Sequence, residues 1–246
     1  YALYVTFFPQ LVAGPIVRAT DFLPQCETPR RASKDQLGWG LCLFVIGLFS
    51  KVVIADTLMS PIAERVFDSA QSAGFLAAWT GTFAFATQIF CDFFGYSTCA
   101  IGIALCLGFA LPDNFRFPYA AIGFSDFWRR WHITLSTWLR DYLYIPLGGN
   151  RDSTTRTYIN LSITMLLGGL WHGASWMFII WGALHGFYLI VENFFPFILG
   201  TGSGGVAHGA HIGGFVAGLM VVMGLKHWGK DSSLNHSGPT WSSPNQ

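Results

Sequence analysis

Apolar segments about as long as a membrane span recur along this chain. Residues 37–58 read LGWGLCLFVIGLFSKVVIADTL, with Lys51 as the only basic interruption. A run of this length and composition can cross the hydrocarbon core of a bilayer. Only 11% of the residues are charged, against about 25% in average soluble proteins. Fourteen basic and 13 acidic side chains are too few to cover a soluble fold of 246 residues. The sequence therefore predicts an all-α, polytopic membrane helical bundle.

Further apolar segments follow the first one. We expect them to form helices over residues 74–94, 97–111, 158–170, 174–199 and 206–225. Breaks are expected near Gly95 and at Trp171–Gly173, so the bundle would contain broken or re-entrant helices. Residues 1–35 are rich in proline and predict a re-entrant or interfacial segment followed by a loop. No basic stretch precedes a short apolar one, so we expect no signal peptide and interpret the chain as a fragment.

The few charges are concentrated in one part of the chain. Ten of the 27 lie between residues 113 and 156, and Arg30, Arg31 and Lys34 precede the first long helix. The positive-inside rule places both basic regions on the cytoplasmic side, which requires an even number of crossings between them. We therefore expect one of the segments between them to be re-entrant or broken. The net charge of +1 and the lack of a basic stripe argue against a nucleic-acid partner.

Residues 124–144, FSDFWRRWHITLSTWLRDYLY, carry most of the polar chemistry. Their spacing predicts one helix with an apolar face made of Phe124, Trp128, Trp131, Leu135, Trp138 and Tyr142. A neighbouring face would carry Ser125, Arg129, His132, Ser136 and Arg140, with Ser125 capping the helix. Two interpretations remain open: an interfacial anchor whose arginines reach lipid phosphates, or a helix packed beside a polar cavity.

Two histidines, His172 and His185, lie within the apolar residues 166–189. An ionisable side chain at membrane depth is costly to insert and often has a function. Nearby glycines permit a broken helix and close backbone approach. A neutral imidazole can accept a hydroxyl proton near neutral pH without a metal, which makes His172 the candidate general base. For both histidines an interhelical hydrogen bond is the alternative.

The segment 200–225 contains a third pair of histidines, His208 and His211. They are three residues apart and could share a helix face, but a His pair without nearby Cys or carboxylate is a weak metal site. Its glycines are typical of tightly packed membrane helices, which is the favoured interpretation. No metal site is predicted anywhere in the chain.

Several blocks together resemble the membrane-bound O-acyltransferase (MBOAT) family, in particular its bacterial alginate O-acetyltransferase-like branch. The blocks are YVTFFPQLVAGPIVRATDFLPQ (4–25), IFCDFFGYSTCAIGIALCLGFALPDNFRFPY (89–119), DFWRRWHITLSTWLRDYLYIPLGGNR (126–151) and GGLWHGASWMFIIWGALHGFYL (168–189). They occur in the family's own order over about residues 1–195. Family members are longer, so the resemblance implies a partial MBOAT fold.

The resemblance implies transfer of an acyl group, typically acetyl, from a cytoplasmic donor to a hydroxyl of an exported polysaccharide or of its carrier. No bound cofactor is implied, and the donor would be acetyl-CoA or another acyl thioester, free or on an acyl carrier. A periplasmic acyl-accepting protein is a further partner, and the inner membrane is the expected location. The family's invariant histidine corresponds to His172, the base, and a second one to His132, which with Arg129 would polarise the acyl carbonyl. The remaining substrate-binding candidates are Arg130, Trp128, Trp131, Trp171 and Asp126, although Asp126 and Asp141 are also expected to pair with arginines.

The C-terminal part of the chain has a different resemblance. GGVAHGAHIGGFVAGL (204–219) is similar to the last helix of rhomboid intramembrane proteases, whose catalytic histidine would correspond to His211. No Gly-x-Ser-Gly nucleophile motif occurs in residues 1–195. We therefore expect an acyltransferase domain over 1–195, a rhomboid-like terminal helix over 196–225 and a disordered tail over 226–246. A rhomboid-like protease fragment and a non-catalytic fusion protein are the alternatives.

Overall fold

The computed structural model describes residues 1–69 and 73–194, and all structural statements below concern those residues. Within them the chain forms helices and no strand, which confirms the all-α prediction. The helices are α1 (Ala2–Thr6), α2 (Ala19–Phe22), α3 (Lys34–Leu48), α4 (Ser60–Asp68), α5 (Phe75–Cys106), α6 (Phe124–Arg130), α7 (Ile133–Leu139), α8 (Thr154–His172) and α9 (Trp176–Phe194).

Three helical runs are long and apolar enough to cross a membrane: Lys34–Asp68, Phe75–Cys106 and Trp176–Phe194. The first begins with a capping box, in which Ser33 and Gln36 each accept a hydrogen bond from the other's backbone N–H. Within this run, the π-helical stretch Phe49–Met59 joins α3 to α4. The run extends well beyond the predicted helix 37–58.

The prediction of a break near Gly95 is wrong, because α5 is one continuous helix of 32 residues. Gly95 lies in its interior, where the backbone of α3 approaches too closely to leave room for a side chain. The two apolar runs between Arg31 and residue 113 are therefore each long and apolar enough for one crossing, which gives two crossings in all. Two is an even number, so the basic regions on either side of these runs fall on one side of the membrane, as the positive-inside rule requires. No re-entrant segment is needed between them.

Glycines determine how closely α3 and α5 pack. A Cβ on Gly47 would lie 2.6 Å from the Gly95 carbonyl oxygen, and one on Gly95 would lie 2.6 Å from the Gly47 oxygen. The same reciprocal contact, seven residues away along each helix, joins Gly40 and Gly102. These neighbours are backbone atoms, which cannot move aside. The two helices are therefore held at a distance that only glycine permits, as in tightly packed membrane helices.

Gly47→Ala and Gly38→Ala are predicted to have opposite effects, although both lie in α3. A Cβ at Gly47 meets Gly95 and Cys99 below 3 Å, whereas a Cβ at Gly38 meets nothing within 4 Å. We expect Gly47→Ala to separate α3 from α5 and to lower the unfolding temperature in detergent. Gly38→Ala should raise stability by up to about 1 kcal/mol, because alanine is the better helix former. Equal unfolding temperatures for the two variants would contradict this packing.

The last two described helices, α8 and α9, form an antiparallel hairpin. The first helix ends at His172 and the second begins at Trp176, on either side of Gly173, so the predicted break at Trp171–Gly173 is confirmed. Gly169 and Gly182 again stand where a Cβ would meet the backbone of the facing helix. This close approach fixes His172 relative to the first turns of α9.

Candidate active site

The predicted single helix over 124–144 is wrong: the chain forms α6, a break at Trp131 and His132, α7 and then a π-helical turn, Arg140–Tyr144. Trp131 is extended and His132 has a left-handed backbone, with φ of 42°. A left-handed non-glycine residue is uncommon and needs support from its surroundings. The predicted polar stripe along one helix face is therefore interrupted at His132.

Asn114 supplies that support. Its side chain is 1% exposed, and its Oδ1 accepts hydrogen bonds from the N–H and the hydroxyl of Thr134. Its backbone oxygen accepts a hydrogen bond from Ile133 N–H at 2.9 Å. These bonds satisfy backbone groups at the start of α7 that have no partner within their own helix. Asn114 therefore holds the turn that carries His132.

The first turn of α6 is held by α9 rather than by Ser125, contrary to the capping prediction. Glu192, which is 2% exposed, accepts hydrogen bonds from the N–H and hydroxyl of Ser125 at 2.8 and 3.1 Å. The residue at the cap itself is Gly123, where a Cβ would clash with the Glu192 carboxylate. A carboxylate near a helix N-terminus is favourable because it pairs with free backbone N–H groups.

His172 ends α8 and is more than a third exposed. Its ring stacks on Phe178 and meets Trp181 edge to face, with ring centroids 5.9 and 5.3 Å apart. Gly173 provides space for Phe178, since a Cβ there would lie 2.8 Å from that ring. Partial burial lowers the pKa of His172 below its ordinary value. The imidazole is therefore neutral near pH 7, as a general base must be.

The structure brings His132 close to His172. The ring of Trp171 lies beside both, with centroids 5.9 Å from His132 and 5.1 Å from His172. His132 is 3% exposed and meets Phe93 edge to face at 4.6 Å. Burial, together with repulsion from His172, lowers the pKa of His132 to about 3. Both histidines are therefore neutral, and only His172 has an accessible ring.

A cavity of about 290 Å³ follows one face of α8. On α8 its lining begins at Thr157 and ends at His172, fifteen residues apart, which is about 22 Å along a helix axis. The middle is lined mainly by apolar side chains, together with the hydroxyls of Ser136 and Thr164. The remaining lining residues are Trp128, Leu135, Ser136, Leu139, Arg140, Tyr144, Asn150, Leu161, Thr164, Met165, Gly168, Trp181, Leu189 and Asn193. One end is thus polar and the other holds His172 beside Trp181.

Arg140 lines the polar end of this cavity, and its charge is partly balanced. Its Nε lies 2.6 Å from Asp141 Oδ1, and Arg18 Nη2 lies 2.5 Å from Asp141 Oδ2. The two arginines lower the pKa of Asp141 to about 2. Two cations share one carboxylate, so this end of the cavity carries a net positive charge.

The other predicted site residues are distributed around this cavity. Arg130 pairs with Asp126 at 2.9 Å, as expected for residues four apart on a helix, and Arg129 is exposed. Trp131 stacks on Phe127 with centroids 5.6 Å apart. The cavity is lined by Trp128 but not by Asp126, Arg129, Arg130 or Trp131.

His185 lies in α9 between two tryptophans. Its ring centroid is 4.5 Å from that of Trp181 and 5.2 Å from that of Trp128. His185 Nδ1 and Trp128 Nε1 are both buried without a hydrogen-bond partner among the described residues. His185 is not part of the cavity lining, and the ring of Trp181 contacts both His185 and His172.

The candidates His208 and His211 lie outside the described residues. Within the described ranges, no group of three or more His, Cys, Asp or Glu side chains could hold a metal ion.

Sequence reasoning missed Asn114 and Glu192 as residues that position the site. Glu192 could have been found, because a lone carboxylate in an apolar helix needs a buried partner. Asn114 gave no such signal, since LPDN reads as an ordinary loop sequence.

These observations define a helical protein with membrane-spanning runs and a cavity that leads from a cationic end to an accessible, neutral histidine. The chain belongs to MBOAT, the membrane-bound O-acyltransferase family, whose family model matches residues 1–200.

Several named relatives are each similar to this chain over about 200 residues. The chain is 51% identical over 194 residues to the probable alginate O-acetylase of Azotobacter vinelandii, covering 78% of this chain and 38% of that protein. It is 50% identical over 195 residues to the peptidoglycan O-acetyltransferase of Helicobacter pylori, with 78% and 37% covered. It is 28% identical over 203 residues to the teichoic acid D-alanyltransferase of Bacillus subtilis, with 78% and 51% covered. The chain thus spans about two fifths of the length of the first two relatives and about half of the third.

Proposed function

We propose that this chain carries the catalytic centre of a membrane O-acyltransferase that moves an acetyl or similar acyl group onto hydroxyls of an exported polysaccharide. The observation that carries the proposal is the cavity that ends at His172, in a chain about 50% identical to an alginate O-acetylase and a peptidoglycan O-acetyltransferase. Both relatives are named for acyl transfer to a cell-surface polymer. The inner membrane is the proposed location.

The acyl donor enters from the polar end of the cavity. This end belongs to the arginine-rich region 113–156, which the positive-inside rule assigns to the cytoplasm. Arg140 attracts the anionic part of a donor such as acetyl-CoA or an acyl carrier, and the apolar middle accepts its uncharged arm. The length of the cavity allows a thioester at the end of such an arm to reach His172.

His172 acts as the general base. Its neutral imidazole accepts the proton of the acceptor hydroxyl while the hydroxyl oxygen attacks the acyl carbonyl. The C–S bond of the thioester then breaks, and the thiolate leaves and takes up a proton. His132, which is held by Asn114 and lies one ring away from His172, is the proposed group that polarises the acyl carbonyl. Arg129 lies outside the cavity lining, so its proposed contribution is its positive charge. Trp171 lies beside both histidines, and Trp128 lines the cavity. Trp131, Arg130 and Asp126 support α6 from outside the cavity.

The proposal is tested by acyl transfer in vesicles that contain the purified chain. Radiolabelled acetyl-CoA is supplied on the side of Arg140, and alginate or peptidoglycan on the other side. We expect label on at least one polymer, released by mild alkali as expected of an ester. Absence of label on both polymers, with the chain correctly inserted, would contradict the proposed activity. The proposed domain division at residues 195 and 225 is tested separately, by deleting residues 196–246 and repeating the assay.

A further inference from the structure

Three charged side chains meet halfway along two helical runs that are apolar enough to span a membrane. Lys51 is the central residue of the 35-residue run Lys34–Asp68, and Asp92 lies near the centre of α5. Lys51 Nζ lies 2.8 Å from Asp56 Oδ1 and also pairs with Asp92 Oδ1. Asp56 is only about 7 Å further along the helix than Lys51. We call Lys51, Asp56 and Asp92 the Lys51 triad, and it falls within the hydrocarbon core when these helices cross the bilayer.

The triad lies on an outward face of the α3–α5 pair. The side chains of Lys51, Asp56 and Asp92 are 36%, 48% and 47% exposed. Lys51 contacts one oxygen of each carboxylate, and the second oxygens accept no hydrogen bond from the described residues. Gln88 and Tyr96 are four residues before and after Asp92, so they extend this polar strip along α5. With all three groups ionised, the face has a net charge of −1 and two carboxylate oxygens available as acceptors.

Neither lipid nor a second copy of the chain suits this face. Charged groups at mid-depth that face hydrocarbon are costly, and in membrane proteins they are usually paired or turned toward the protein interior. A symmetric contact with a second copy would bring two negative triads together, and like charges across an interface repel. The π-helical stretch Phe49–Met59 contains both Lys51 and Asp56, and π-helical insertions are frequent at functional sites.

We propose that the Lys51 triad docks a transmembrane helix of a partner that carries an arginine or lysine at mid-depth. The partner's cation pairs with the second oxygens of Asp56 and Asp92 and brings the site to electrical neutrality. Gly47 and Gly95 lock α3 to α5 directly beside the triad, so the face is preformed. This docking does not depend on the proposed acyl transfer.

A designed transmembrane peptide provides the probe. A leucine-based peptide with one central arginine is labelled as an energy-transfer acceptor and mixed with the labelled full chain in phosphatidylcholine vesicles. The same peptide with leucine in place of the arginine is the reference. We expect the arginine peptide to bind about tenfold more tightly than the leucine peptide, the range seen for polar contacts between membrane helices. The combined variant Asp56→Asn with Asp92→Asn should lose this preference.

Matched variants keep the test specific to the triad. Asp35→Asn with Asp68→Asn removes the same charge from the two ends of the run and should retain the tenfold preference. The triple variant Lys51→Met, Asp56→Asn, Asp92→Asn has no charge at mid-depth, so it inserts even where the double variant does not, and it should also lose the preference. Equal binding of the two peptides would overturn the proposal. A second result would also overturn the proposal: energy transfer between copies of the wild-type chain that is absent between copies of the triple variant. That result would assign the face to self-association.

Discussion

His172→Ala is expected to lower the rate of acyl transfer by about a hundredfold to ten-thousandfold, the usual contribution of a general base. The imidazole is the accessible ring at the end of the cavity opposite Arg140, and alanine cannot accept the hydroxyl proton. His172→Gln retains a polar side chain without a comparable base and should be equally inactive. Initial rates with labelled acetyl-CoA measure the effect, and protease protection checks that membrane insertion is unchanged.

The control for this prediction is His236→Ala, the same substitution in the polar C-terminal segment. It should retain wild-type rates. The pH profile gives a second readout, because the pKa of His172 lies below its ordinary value. The imidazole loses its proton at lower pH than a free histidine, so the wild-type rate should begin to fall only at a lower pH than expected for a base with the ordinary pKa of histidine. Transfer by His172→Ala at the wild-type rate would exclude His172 as the base.

The sequence was sufficient to predict the class of fold and the break beside His172. Low charge and long apolar runs leave few alternatives to a membrane helical bundle. Gly173, next to two tryptophan-rich apolar segments, indicated a turn where the structure has one. The pairing of Asp126 with an arginine was also predicted, and the structure identifies Arg130, four residues along the same helix, as the partner.

The two incorrect helix boundaries have one cause, which is that tertiary contacts override local pattern. Gly95 appeared to be a break because glycine is a poor helix former, yet it is needed for contact with Gly47 on a helix far away in sequence. Residues 124–144 have a helical period, yet Asn114 captures the backbone of Thr134 and forces the turn at His132. No local signal reports a partner twenty residues away.

The distance between His132 and His172 in sequence explains why the site itself could be predicted only in part. The apolar context of His172 and the resemblance to a family identified the two histidines, but not the residues that hold them. Glu192 ties α9 to α6, and the ring of Trp171 lies between the histidines. These contacts depend on how α6, α8 and α9 pack together, which hydrophobic periodicity does not specify.

Asn114→Leu is expected to destabilise the protein strongly and to impair acyl transfer through His132. Leucine has nearly the same size but no acceptor, so the N–H and hydroxyl of Thr134 lose a buried partner. Each unsatisfied buried donor costs about 1–3 kcal/mol, so the two together predict a loss of about 2–6 kcal/mol. Thermal unfolding in detergent, followed by circular dichroism, measures the change.

Thr134→Ser is the matched control for the loss of these hydrogen bonds. It keeps the hydroxyl that donates to Asn114 and accepts from Ile16 N–H, and removes only a methyl group. The expected cost is about 1 kcal/mol. If Asn114→Leu is as stable as Thr134→Ser, the left-handed turn at His132 does not depend on Asn114. If Asn114→Leu is unstable but transfers acyl groups at the wild-type rate below its unfolding temperature, the turn is structural and His132 has no part in polarising the carbonyl.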